Sequence, residues 1–150
     1  MSQIRATKVR STFRQVVSVS ADIQASAEDV WALLSSTEAQ GSWNSTLVSI
    51  EGTVANGETV TLVAKSAPER TFRLAVSDLT PHERMVWSDG NFVFRGVRTF
   101  ELVPTDTGVR FTMTEEMTGM MFPLIVGSLP DFVPVFETYA ADLKRAAEAA

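Results

Sequence analysis

From Phe13 to Ile23 the chain alternates. Phe13, Gln15, Val17, Val19, Ala21 and Ile23 fall on one face, and Arg14, Val16, Ser18, Ser20 and Asp22 on the other. A period of two with one apolar face predicts a half-buried strand. The pattern then changes. Ser26 stands three residues before Asp29, with Glu28 beside it, and Val30, Trp31 and Leu34 follow at helical spacing. A serine hydroxyl ahead of a first-turn acid caps a helix start, so a short helix is predicted from Ala27 to Ser36. Gly41 is expected to break the short turn that follows.

The middle of the chain reads as strands joined by tight turns. Leu47 to Glu51 precedes the turn signal Asn56-Gly57. Glu58 to Lys65 places Val60, Leu62 and Ala64 on one face, and Thr71 to Leu79 groups Phe72, Leu74 and Val76. After Pro81-His82, Met85 and Trp87 share a face. Asp89-Gly90-Asn91 predicts another tight turn. Phe92 to Val103 and Val109 to Thr118 are two further strands, separated by a turn from Pro104 to Gly108.

The ending is helical. Asp131 is placed to cap a helix in which Pro134 falls within the first turn, where proline is tolerated. Phe132, Phe136, Tyr139 and Leu143 recur at spacings of three and four, an amphipathic pattern. Strands joined by hairpins form an antiparallel sheet, and its apolar face needs a cover. The fold class is therefore α+β. A curved antiparallel sheet of about seven strands wraps round a long C-terminal helix, with two short helices after the first strand.

Composition narrows the function classes. The chain has 150 residues, 45% of them apolar, which suits one domain spanning 1–150 with a sizeable core. It has no run long enough for a transmembrane helix. Met1 to Arg14 is polar and lacks the apolar stretch of a secretory signal, so a cytoplasmic location is expected. The basic residues Arg5, Lys8, Arg10 and Arg14 read as a frayed or edge-forming terminus. Cysteine is absent, which removes disulfides and thiolate chemistry. The net charge of −5 disfavours nucleic acid and anionic membranes as partners.

Several segments resemble the SRPBCC superfamily, also called START-like or helix-grip. Ala25-Ser26-Ala27-Glu28-Asp29-Val30-Trp31-Ala32-Leu33-Leu34 is similar to its opening signature, and Trp43-Asn44 follows at the expected distance. Leu79-Thr80-Pro81-His82-Glu83-Arg84-Met85-Val86-Trp87 resembles its hairpin with a proline and a tryptophan. Phe100 to Pro104 and Gly108 to Thr112 resemble its last hairpin. The likeness runs from Val17 to Lys144 and fits best the polyketide cyclase/dehydrase branch. It implies an internal apolar cavity for a small hydrophobic molecule, with lipid carriers, cyclases and chaperone activators all sharing the fold.

Hairpin registers map the inner face. Pairing Asp89 with Phe92 puts Trp87 opposite Phe94 and Met85 opposite Gly96. Pairing Leu102 with Val109 puts Phe100 opposite Phe111 and Arg98 opposite Met113. The shared face then carries Met85, Trp87, Phe92, Phe94, Arg98, Phe100, Leu102, Phe111, Met113 and Glu115, and a one-residue slip would turn all of them outward. Arg98 and Glu115 break the apolar pattern and sit diagonally on adjacent strands. Two readings apply: a polar anchor for a ligand carboxylate, phenolate or carbonyl, or an ion pair that satisfies itself.

The candidate ligand contacts on the sheet are Leu62, Trp87, Phe94, Arg98, Met113 and Glu115. Trp43 joins them from the loop after Gly41, and Phe132 and Phe136 from the terminal helix. Trp31 is read as core packing. Met117, Met120, Met121, Phe122, Leu124 and Ile125 form either an adaptable gate or the underside of a short helix. His82, the one histidine, lies in a turn away from this face, so no histidine triad or metal site is expected. Glu115 and Glu116, adjacent in a strand, point to opposite faces and cannot form a carboxylate pair.

Three functions compete. The first is a binder or carrier of a small hydrophobic ligand, monomeric or homodimeric, without cofactor, nucleic acid or membrane insertion. The second is a cyclase or dehydratase for an aromatic or polyketide-like substrate, with Arg98 facing an enolate and Glu115 moving a proton. The third is a protein-interaction module, opposed by the polar outward residues of the strands. An edge at Phe13 to Ile23 offers a dimer contact.

Overall fold

A computed structural model describes residues 4–149. Eight strands form one antiparallel sheet: β1 Ala6–Arg10, β2 Arg14–Ile23, β3 Leu47–Gly52, β4 Thr59–Ala64, β5 Phe72–Thr80, β6 Arg84–Gly90, β7 Arg95–Pro104 and β8 Val109–Thr118. The spatial order is β1-β2-β8-β7-β6-β5-β4-β3. Four helices complete the chain: α1 Ala27–Leu34, α2 Thr37–Trp43, α3 Phe122–Ile125 and α4 Phe132–Glu148. No helix among the described residues is long and apolar enough to cross a membrane.

The helix-grip arrangement is the one expected, with a strand more than the sequence pattern indicated. The basic terminus supplies that strand, pairing Ala6 with Val19 and Arg10 with Gln15. Hence β2 lies between β1 and β8, and β1 covers its edge from Gln15 to Val19, so Phe13 to Ile23 is not a free edge over its length. The open edges belong to β1 and β3.

Local chemistry explains the helices. The Ser26 hydroxyl accepts from the Asp29 amide at 3.1 Å, capping α1, a contact worth about 1 kcal/mol. Ser36 caps α2 in the same way through the Ala39 amide, also at 3.1 Å. Gly41 lies inside α2 instead of ending it. The Asp131 carboxylate accepts from the Val133 amide and starts α4. Phe136, Tyr139, Ala140, Leu143 and Ala147 then form its buried stripe. Asp142, also buried, accepts from both the Ser45 amide at 2.8 Å and its hydroxyl at 2.6 Å. This bond ties α4 to the segment between α2 and β3.

The two hairpins that frame the inner face are displaced from the expected registers. Trp87 stands opposite Arg98 and Met85 opposite Phe100. Leu102 faces Phe111, and Arg98 faces Glu115. In the second hairpin the ladder runs on to Pro104 opposite Val109, closing a tighter turn than expected; in the first the cause lies in the β6–β7 connection, which is not a two-residue turn. Asn91 accepts from the Val93 amide through its side chain at 2.9 Å and donates its own amide to the Phe94 carbonyl at 3.0 Å. Gly90, at φ +88°, lets the chain enter this loop. Both displacements are even, four positions in the first hairpin and two in the second. The inner-face residues within the strands therefore keep their face, whereas Phe92, 75% exposed, and Phe94 lie in the loop.

Candidate functional site

Aromatic rings pack together between the sheet and α4, within the core. Trp87 and Phe100 meet with centroids 5.0 Å apart. The Tyr139 ring lies 6.3 Å from Phe100, stacks on Phe111 at 6.2 Å and meets the edge of Trp43 at 5.3 Å. Met85, Met113 and Phe136 are fully buried with them. Trp43 is fixed by its Nε1, which donates to the Leu33 carbonyl at 3.0 Å.

Two polar atoms stand out in this interior. Trp87 Nε1 and Tyr139 Oη are buried with no hydrogen-bond partner among the described residues. An orphaned buried donor costs about 1–3 kcal/mol and calls for an explanation. Burial pushes the Tyr139 hydroxyl far above its ordinary range, with the Arg98 charge and a hydrogen-bonding interaction with the Gln40 side chain, too loose to count as a close bond, acting against it. Tyr139 is thus a neutral donor across the physiological range. The Gln40 amide is already engaged, donating to the Leu34 carbonyl and accepting from Asn44.

Arg98 is close to both: it is the cross-strand neighbour of Trp87, and its charge acts on the Tyr139 hydroxyl. It pairs across the ladder with Trp87 on one side and Glu115 on the other. Its Nε donates to Glu115 Oε1 at 2.7 Å. Its guanidinium carbon lies 5.0 Å from the centre of the Phe136 ring, a cation–π contact. The two side chains keep 22% and 16% of their surface in solvent. The packed interior meets water here.

Beside this pair, Gly96 opens a gap. A Cβ on Gly96 would lie 3.1 Å from Asp89 Oδ1 and 3.9 Å from Glu115 Oε2. The missing side chain lets the two carboxylates converge on one face. Burial pushes the Asp89 carboxyl up from its ordinary value, and the neighbouring Glu115 charge adds to this; Arg70, the Gly96 amide and Arg95 offset part of it. Sequence reasoning missed Asp89 because the expected register set it opposite Phe92. Glu116, as expected, points away, to Arg14 on the other face.

Of the residues singled out from the sequence, Trp87, Arg98, Glu115 and Phe136 come together, with Phe132 at the edge of Phe136 and Met113 beside Phe100. Trp43 joins through Tyr139. Leu62 is a core residue on β4. Phe94 belongs to the β6–β7 loop and stacks on Phe122, centroids 6.3 Å apart. Trp31 is core, as expected. His82 is exposed at φ +69° and meets Trp31 edge-on, outside the site. A hollow of about 610 Å³ is lined by the outward residues Thr59, Thr61, Arg73, Ser88 and Arg95 and also by Asp89 and Gly90, so Asp89 borders this hollow as well as the gap at Gly96.

Comparison with known proteins follows this geometry. Residues 14–150 match the family model described as polyketide cyclase/dehydrase and lipid transport. A protein from Rhodobacter sphaeroides has a similar structure, with a TM-score of 0.71 at 19% identity over 98% of this chain and 99% of its own. A Staphylococcus aureus protein of unknown function aligns with a TM-score of 0.67 at 16% identity, over 96% of both chains. The di-domain ARO/CYC StfQ of the steffimycin biosynthetic pathway aligns with a TM-score of 0.67 at 12% identity. That alignment spans 92% of this chain and 50% of StfQ. At these identities the structural likenesses establish the fold alone. No curated protein sequence matches the chain.

Proposed function

The chain belongs to the polyketide cyclase/dehydrase and lipid transport family, and from that premise we propose that it binds a small, mostly apolar molecule against the aromatic face between the sheet and α4. The observation that carries this reading is a pair of buried donors without a close partner, Trp87 Nε1 on the cross-strand neighbour of Arg98 and Tyr139 Oη within reach of the Arg98 charge. A ligand oxygen would satisfy what the protein leaves unpaired. The guanidinium holds Glu115 through Nε, and its planar fork has further donors to offer a carbonyl, phenolate or carboxylate. The apolar rings would take the rest of the molecule. In this reading the protein works in the cytoplasm as a monomer or homodimer, with neither nucleic acid nor a resident cofactor.

Native mass spectrometry of protein purified without denaturation tests it. A stoichiometric small molecule, released on denaturation and lost from Arg98→Ala, supports the reading. Bare protein that also takes up no compound from an aromatic and fatty-acid panel overturns it.

A second reading, a cyclase or dehydratase, is favoured by the convergence of Asp89 and Glu115 at Gly96. A carboxylate there would remove the proton next to a β-hydroxy carbonyl while Arg98 stabilises the enolate. The acid so formed would return its proton to the departing hydroxyl, releasing water. Turnover of such a substrate, abolished in Asp89→Asn with binding retained, would place this reading first.

A further inference from the structure

The largest departure from an ordinary surface lies at one end of the sheet. Phe13 is 56% exposed, Phe92 75%, Met120 66% and Leu124 77%. They come from three separate segments that the backbone ties together. The Met120 amide donates to the Phe92 carbonyl and the Met121 amide to the Val93 carbonyl, both at 3.0 Å. The Gly119 amide donates to the Phe13 carbonyl at 3.3 Å. The exposed residues therefore form one patch. Contiguous exposed apolar surface of this kind marks an interaction site.

Charge indicates the partner. The chain has 18 acidic residues and a net charge of −5, yet residues 11–13, 91–94 and 117–130 contain no Asp or Glu. Immediately behind the patch, Arg14 and Arg95 stand on either side of Thr118. Arg14 is paired with Glu116. Arg95 makes no hydrogen bond or ion pair among the described residues and acts on Asp89 only at longer range. Apolar side chains at a tip, with guanidinium groups one row behind, match the layering of acyl chains beneath phosphate headgroups. The net charge of the whole molecule had argued against such a surface, but that average hides three neighbouring segments without an acid, bordered by Glu116, which Arg14 pairs, and Asp131.

We propose that this patch is a docking surface for a phospholipid bilayer, with Phe13, Phe92, Met120 and Leu124 entering the headgroup region and Arg95 meeting phosphate. The site is also joined to the aromatic interior. Phe94, between the exposed Phe92 and Arg95, stacks on the buried Phe122. Docking is independent of what the interior binds and stands or falls separately from it.

The test is co-sedimentation of the full chain with vesicles of phosphatidylcholine alone and of phosphatidylcholine mixed with phosphatidylglycerol. The wild type is expected to pellet with vesicles. The double variant Phe92→Asp/Leu124→Asp should lose at least about tenfold in partitioning, since each change removes one large apolar side chain from the contact. Arg95→Glu should weaken binding most on the phosphatidylglycerol vesicles. All three side chains are exposed, so circular dichroism should show the fold unchanged. Failure of the wild type to pellet with either vesicle, or equal pelleting of the double variant, overturns the proposal. So does a concentration-dependent dimer that Leu124→Asp dissolves without vesicle binding, which would assign the patch to a second copy of the chain.

Discussion

Arg98 and Glu115 stand directly opposite each other on β7 and β8, with Nε donating to Oε1 at 2.7 Å. They are the ion pair on a face built mostly from apolar side chains, with the Asp89 carboxyl nearby. Both retain some solvent contact, so neither is locked away as a purely structural pair would be at the centre of the core. Arg98→Ala leaves Glu115 without its cation and should cost about 1–2 kcal/mol, less than a fully buried pair, because water can reach the carboxylate. Urea unfolding measures that cost. Arg98→Lys should recover most of the stability but not ligand retention, since an ammonium cannot present two parallel donors. Equal retention in the lysine variant would reduce the pair to a structural one.

The orphaned Tyr139 hydroxyl gives a prediction of unusual sign. Removing a hydrogen-bonded tyrosine hydroxyl from a core ordinarily costs about 1 kcal/mol. Tyr139 Oη has no close partner to lose, only a loose interaction with the Gln40 side chain. Tyr139→Phe should therefore leave the ligand-free protein as stable as the wild type, or more stable by about 1 kcal/mol. The same change should weaken retention of an oxygen-bearing ligand by about tenfold, the equivalent of one good hydrogen bond. Thermal unfolding and native mass spectrometry read the two effects separately. A clear loss of stability without ligand would show that the hydroxyl is satisfied in solution.

How far the sequence discloses this molecule depends on the kind of information. The face of each strand residue follows from alternation alone, and that is why Trp87, Arg98, Glu115 and Met113 are assigned correctly although the hairpin registers are displaced. Register depends on how many residues a turn consumes. Asn91 folds its side chain back onto the Val93 amide, lengthening what reads as an Asp-Gly turn and carrying Phe92 out to solvent. Glu115 and Asp89 meet only through the space at Gly96, and a glycine's absent side chain leaves no trace in an apolar-polar pattern. β1 is hidden for another reason. Its residues are mostly exposed, so it pairs by backbone hydrogen bonds with little burial to mark it.

Asp142 is a second feature that periodicity conceals, a carboxylate on the buried side of α4. Both its bonds to Ser45, amide and hydroxyl, converge on Oδ2, and Arg145 approaches Oδ1 at 3.2 Å. Asp142→Ala should cost about 2–3 kcal/mol, because charge-assisted bonds are lost and the Ser45 amide is left unpaired. Ser45→Ala removes only the hydroxyl and should cost about 1 kcal/mol. The double variant should fall short of the sum, since both changes break one shared contact. Full additivity in urea unfolding would mean that the two residues act independently.

Asp89 sets the pH dependence. Burial and the Glu115 charge raise its carboxyl above the ordinary aspartate range. A folded state with a raised pKa holds its proton more tightly than the unfolded chain. The associated stability is full below the ordinary carboxylate range and is lost as pH rises through the folded value. Asp22 and Glu148 are shifted the other way, by Arg110 and by the Gln24 amide respectively, but both are solvent-exposed and weigh little. Asp89→Asn removes the cost of a buried charge while keeping the shape. The variant should match the wild type at acid pH and exceed it in stability at neutral pH. Urea midpoints taken across that range check the sign. A variant less stable than the wild type at neutral pH would mean that the ionised Asp89 is held by a partner, with Arg70 and Arg95 the nearest cations to examine.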